Sequence, residues 1–239
     1  MNKVLQSEML KRKKGIYGKL CFIIPLISVF IAFLLCGPSL LESFSIYWWE
    51  ALFLFTLIGL FFTYDQKEEE GAGHFQNIIL GQLTYRIQIA KIILTVKDLI
   101  LASLFFLLIL YLVSILFSGI MMLNIIRDIE VLFFILVASL WNIPMLYYLS
   151  TWVNNYVLLV LNALACLLLA PFLAQTSFWY LFPYTYHYKI SQVLIHLKPS
   201  GDLENLNVSH PFSVLFIASF LSIILFGLFI KLLREEKRV

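Results

Sequence analysis

The chain has 239 residues and a net charge of +3, with 62% of it apolar and 13% charged, against roughly a quarter charged in an ordinary soluble domain. That much apolar surface exceeds what a soluble core of this size absorbs, and it falls in runs near the ~20 residues that cross a ~30 Å hydrocarbon layer. So small a net charge does not imply nucleic-acid binding. Cys21, Cys36 and Cys166 lie inside apolar runs without C-x-x-C or Cys/His spacing, which suggests neither a disulfide framework nor a metal site.

Residues 1–19 place Val4, Leu5 and Met9 among Lys3, Lys11, Arg12, Lys13 and Lys14. The segment reads as an amphipathic helix on the anionic cytoplasmic leaflet, where each basic residue contributes ~1 kcal/mol. The next apolar run ends Phe33-Leu34-Leu35-Cys36. Leu35 is too large for a lipoprotein cleavage site and no A-x-A-like site follows, so this run is expected to stay as an uncleaved first span. Spans are expected near 20–36, 46–64, 99–118, 131–150, 156–173 and 212–230, forming one transmembrane domain over 20–230 with a tail at 231–239.

Basic residues orient these spans. Six lie before the first span (Lys3, Lys11, Arg12, Lys13, Lys14, Lys19), four in the 65–98 loop and four in the tail, against Arg127, Lys189 and Lys198 on the other side. The positive-inside rule then places both termini and the 65–98 loop in the cytoplasm. The fold class expected is an all-α, multi-pass membrane protein of six transmembrane helices, with an outer segment at 174–211.

In the 65–98 loop, Phe75, Ile78, Ile79 and Leu83 fall on one helical face, and Ile87, Ala90, Ile93 and Leu94 form a second stripe. Two short helices joined near Gly81, the second capped by Thr84, are expected along the inner membrane surface. One reading is a connector resting on lipid. The other is a coupling element that a separate motor pushes, with Glu68, Glu69 and Glu70 beside Gly71 and Gly73 as a hinged polar contact surface.

Glu50 is an ionisable residue just inside the outer end of the second span, after Trp48 and Trp49. Such residues usually face the protein interior. It reads either as a snorkelling interfacial carboxyl or as a contact for a cationic peptide. Between Phe178 and Tyr188 the outer segment collects eight aromatic or imidazole rings, Trp179 and Tyr184 among them, as an interfacial belt does. Asn142, Pro144 and Asn162 are expected to form inter-helix hydrogen bonds or kinks.

An intramembrane metalloenzyme is disfavoured. Glu68-Glu69-Glu70 lacks the arginine of a Glu-Glu-x-x-x-Arg protease motif, and His187, His196 and His210 are spaced too widely for a helical metal pair. Asn207-Val208-Ser209 matches a glycosylation sequon, a pattern common by chance. No G-x-x-x-x-G-K-S/T loop is present, so ATP is not bound here in that way.

An E-rich turn, then Phe75-Gln76-Asn77-Ile78-Ile79-Leu80, Tyr85-Arg86 and Ala90-Lys91 after a two-span hairpin resembles permease subunits of ABC-2-type transporters (type V exporter-like). Glu8 with Lys11, Pro25 in the first span and Trp48-Trp49-Glu50 at the start of span two resemble lantibiotic self-immunity permeases of the MutE/EpiE type. Leu83-Thr84 stands where many such permeases have a proline. The resemblance implies a subunit that is not itself an enzyme, in a bacterial cytoplasmic (plasma) membrane. It would work beside a nucleotide-binding ATPase subunit carrying ATP-Mg and a second six-span permease, a G-type subunit or a second copy. Its substrate would be a lantibiotic or similar bacteriocin expelled from membrane lipid. Glu50, Trp48, Trp49, Trp179 and Tyr184 would then border the substrate path, and Glu68, Glu69, Glu70, His74, Phe75, Gln76, Asn77 and Arg86 would meet the ATPase. Export of other drugs, lipids or ions is the alternative, with an intramembrane enzyme behind it.

Overall fold

Between Thr84 and Leu116 the sequence has neither proline nor glycine, and in the computed structural model those residues form one helix of 33 residues. The structure describes residues 2–71, 84–117, 124–201, 203 and 211–236. Among them the regular structure is helical, with a single isolated bridge between Leu197 and Leu203. In chain order the helices are α1 (Asn2–Lys14), α2 (Tyr17–Cys36), α3 (Leu41–Gly71), α4 (Thr84–Leu116), α5 (Ile125–Leu149), α6 (Asn155–Ala174), α7 (Tyr186–Leu194) and α8 (Pro211–Glu236). Six of them, α2 to α6 and α8, are long and apolar enough to cross a membrane.

Local chemistry sets the interruptions. Gly37, at φ +67°, closes α2 by returning its N–H to the Phe33 carbonyl at 2.9 Å, a conformation that favours glycine. Asn124 and Asn154 cap α5 and α6, accepting from Arg127 N–H at 3.3 Å and Tyr156 N–H at 2.9 Å. α5 breaks its regular ladder at Leu140 and Trp141, as Pro144 removes an N–H and crowds the carbonyl four residues back. Two helices each widen into one π-turn, Trp49–Phe53 in α3 and Ala165–Leu169 in α6.

α3 and α5 form the centre: 72% and 61% of their apolar windows are buried, against 17–33% for the other four spans. α2 packs on α4, α6 on α3, and α8 on α5, while α7 is wedged against α5 and α8. Gly59 leaves room on α3 for the Leu159 side chain of α6, whose Cδ1 would lie 2.5 Å from a Cβ there.

Several boundaries differ from the sequence expectation, with α3 beginning at Leu41 rather than 46 and α5 at Ile125 rather than 131. α3 continues past residue 64 to Gly71, and α4 begins at Thr84 rather than 99, so the stripe Ile87, Ala90, Ile93 and Leu94 belongs to a span and not to a separate surface helix. Ala90 and Leu94 are buried while Ile93 is exposed. The stripe at Phe75, Ile78, Ile79 and Leu83, with Gly73 and Gly81, lies outside the described residues. α1 also differs: it turns Glu8 and Arg12 inward, each 5% exposed, and leaves Met9 and Leu10 outside. Carboxylates on α3 and α4 that pair with Arg12 favour that inversion.

Candidate functional site

Polar side chains inside an apolar bundle need partners, and the two largest groups of them among the described residues lie in separate places. The first lies where the π-turns of α3 and α6 pack together. A π-turn takes carbonyls out of the regular ladder. The Cys166 thiol donates to the Glu50 carbonyl at 3.4 Å, and the Tyr188 hydroxyl donates to the Cys166 carbonyl at 3.2 Å. Side chains of α6 and α7 thus satisfy backbone groups the two π-turns expose.

Glu50 sits about two and a half turns into α3, deeper than the expected single turn. Its side chain is fully buried, and one carboxyl oxygen accepts from the Ser191 hydroxyl and stands 3.7 Å from His187 Nδ1. His187 Nε2 lies 3.3 Å from Cys166 Sγ. The other carboxyl oxygen of Glu50, and His187 Nδ1, have no hydrogen-bond partner. Thiol, imidazole and carboxylate lie in sequence, but 3.7 Å between His187 Nδ1 and Glu50 is too long for a hydrogen bond, so the carboxylate does not orient the imidazole as it does beside a catalytic thiol. All three residues are 0% exposed, so no substrate reaches the sulfur in this conformation.

Beside it, Asn162 Nδ2 donates to the Phe55 carbonyl at 2.8 Å. Its Oδ1 accepts from Asn142 Nδ2 and from the Tyr184 hydroxyl, both at 2.7 Å. The inter-helix role expected of Asn142 and Asn162 is the one they take, joining α3, α5, α6 and the turn at Pro183–Thr185. Trp141 and Phe55 rings close on Tyr184 at 4.9 and 5.3 Å.

The second cluster surrounds α1. The Arg12 guanidinium, over the Tyr17 ring at 4.6 Å, donates to the carboxylates of Asp65 on α3 and Asp98 on α4 (2.8 Å), to Thr95 Oγ1 (2.9 Å) and to the Lys91 carbonyl (3.2 Å). Asp65 also accepts from the Tyr17 hydroxyl at 2.7 Å and from Tyr147 of α5. Next to it, Glu69 pairs with Lys91 at 2.8 Å and Lys11 at 3.2 Å, and Lys11 with Glu8 at 2.7 Å. Burial alone would weaken the proton affinity of Arg12, but the adjacent Asp65 and Asp98 outweigh it and hold the guanidinium charged beyond its ordinary range. Lys11 behaves alike: partial burial lowers its pKa, and Glu8 and Glu69 raise it further, above the ordinary lysine value.

The expected path residues divide. Trp49 is buried, stacked on Phe106 at 5.1 Å, and Tyr184 is held in the asparagine cluster. Trp48 and Trp179 are half-buried, with Trp179 edge-on to Tyr186 at 6.2 Å. Of the expected coupling residues, Glu69 is paired inside, a Cβ on Gly15 would lie 3.2 Å from Glu68 Oε1, and Glu70 and Arg86 are exposed. His74, Phe75, Gln76 and Asn77 lie outside the described residues, as do the sequon at Asn207 and His210.

Sequence reasoning misses Ser191, His187 and Cys166 as partners of Glu50. The one signal for them is the spacing of four between His187 and Ser191, which puts both on one helix face. Among the described residues no group of three His, Cys, Asp or Glu side chains is placed to hold a metal ion. The chain matches no protein-family profile, no curated protein and no solved structure.

Proposed function

We propose that this chain is the membrane-spanning permease subunit of an ABC-2-type exporter that expels a lantibiotic or similar cationic peptide from a bacterial plasma membrane, with both termini in the cytoplasm. The observation that carries the reading is the buried ion network. Arg12, Asp65, Asp98 and Tyr147 tie α1 to three spans, so a push on the ends of α3 and α4 moves one stiff body rather than a loose loop. Exposed Glu70 and Arg86 sit at those ends as contacts for a nucleotide-binding subunit that carries ATP-Mg. A second six-span permease completes the path, and this chain hydrolyses nothing itself. Support for the peptide as cargo is the resemblance of the sequence.

Expression of the tagged chain with its neighbouring subunits and gentle purification tests this. An ATPase and a second permease are expected to come out with it. Recovery of the chain alone, under conditions where all subunits are made, rejects the subunit reading. Export of other drugs, lipids or ions is the competing cargo, and resistance spread over unrelated small drugs rather than confined to cationic peptides selects it.

A further inference from the structure

At the end of the bundle away from α1, two acids stand on the helices that form its centre: Glu42 in the first turn of α3 and Asp128 in the first turn of α5. Asp128 is 1% exposed, and no N–H or hydroxyl of the described residues reaches its Oδ1. The group it does meet is the Glu42 side chain, with which it shares a hydrogen bond. Two ionised carboxylates only accept, so one of the pair must bring a proton to that bond.

Charge balance agrees with this. The Arg127 guanidinium is joined to Glu42 through Nη2 and Oε1 at 2.7 Å. One guanidinium, two carboxyl groups and one proton sum to zero, whereas without the proton a negative charge is left over in the interior. The N-terminal turn of α5 favours an anion, but that is a smaller effect than burying two like charges side by side. Among the described residues, Glu42 and Arg127 are the charged groups that act on Asp128. From the neighbouring helices, α4 brings the Tyr111 phenol to the adjoining cavity, while on α7 Lys189 donates to Gln192 at 3.0 Å and His187 lies beside Glu50. Lys19 of α2 and Lys231, Arg234 and Glu235 of α8 lie at the far ends of those helices, and Glu130 of α5 is exposed.

We propose that Glu42 and Asp128 bind one proton between them and that this proton latches the end of α3 to the end of α5, the latch opening when the medium takes the proton away. Arg127, with 40% of its side chain exposed, marks the side from which water reaches the pair. On opening, the proton passes to water or hydroxide, no bond between heavier atoms changes, and two carboxylates are left facing each other across one guanidinium. Their repulsion pushes the helix ends apart. A cavity of about 240 Å³ between α4 and α5, lined by Leu107, Leu110, Tyr111 and Ile129 and reaching Asp128, gives α5 room to move. The latch lies wholly within this chain and acts whatever the cargo is.

The test uses the purified full-length chain in phosphatidylcholine nanodiscs, followed from about pH 6 to about pH 10, a range that ends below the ordinary lysine value. The infrared difference between wild type and Asp128→Asn is expected to show the carbonyl stretch of a protonated carboxylic acid at the low end, shifted in heavy water and lost as the pH rises. No such band at the low end overturns the shared proton, and a band that persists throughout overturns the opening. Spin labels on Leu40→Cys and Ile126→Cys in a Cys36→Ser background, both at exposed positions, report the separation of the helix ends. The distance between them is expected to lengthen in wild type as the band is lost, and to stay constant in Asp128→Asn, whose amide N–H keeps the bond to Glu42. A distance that stays constant in wild type while the band disappears, or the same lengthening in Asp128→Asn, overturns the latch. Should Asp128→Asn not fold, Glu42→Gln supplies an amide N–H from the other side and is expected to remove both the band and the lengthening; lengthening retained there is equally fatal.

Discussion

Arg12 shares one guanidinium between two carboxylates, a hydroxyl and a carbonyl, all in the interior. Replacing it with leucine leaves Asp65 and Asp98 buried without that counter-ion, a change that costs about 3–5 kcal/mol in comparable settings. A lower melting temperature in detergent is therefore expected for Arg12→Leu. Arg12→Lys is expected to recover less than half of the loss, because an ammonium does not span two carboxylates as a planar fork does. The sign of the pH dependence comes from the direction of the shifts. Arg12 and Lys11 both have folded pKa values raised above their ordinary ones, so their contribution is complete below the unfolded values and fades only above them. The difference in melting temperature between wild type and Arg12→Leu is therefore expected to stay constant between about pH 7 and 9. A difference that shrinks across that window would mean that the network is not paired in this way. None of these pairings is legible in the sequence. Arg12 stands in a run of four basic residues, and nothing local separates the one that turns inward from three that do not.

The two π-turns are the elements on which the central cluster depends. Each inserts one residue's worth of rotation, so the part of α3 beyond Phe53 is turned relative to the part before Trp49. Deleting Ala51 restores a regular helix and rotates Glu50 and Asp65 about 100° relative to each other. Loss of a stable, monodisperse protein is expected from that deletion, by size-exclusion chromatography, whereas deleting one exposed residue of the tail leaves the profile unchanged. Asn162→Leu, which breaks bonds to Asn142, Tyr184 and Phe55, is expected to cost roughly 0.6 kcal/mol per bond, given inter-helix hydrogen bonds in membranes. The existence of the elements is legible in the sequence, since apolar runs of the right length are hard to place elsewhere. Their ends are not. Asp65, Lys91 and Asp98 read as solvated boundary residues, and the structure pairs them inside helices that run on past them. A charge ends a span only when water is its best partner.

For the whole molecule, α3 and α5 form an axis and the four outer spans present apolar faces to the surroundings. Orientation rests on basic residues alone, and it is testable in a Cys36→Ser background. Lys14→Cys and Gln175→Cys are both on exposed positions. Gln175→Cys is expected to react with a membrane-impermeant maleimide in intact cells, and Lys14→Cys only after the cells are opened; the reverse pattern inverts the topology. Glu50 and Tyr184 are visible as notable residues because an acid and a run of rings stand out in an apolar sequence. Their partners Ser191, His187 and Asn162 lie far from Glu50 along the chain, where only tertiary packing joins them. The Arg12 network has a further consequence for how the protein is made. Asp65 and Asp98, whose carboxylates hold Arg12, follow it by 53 and 86 positions, and Tyr147, which fastens Asp65, by 135. The first helix therefore gains its docking partners only as α3 and α4 are made, and the network closes only once the fourth span is in place.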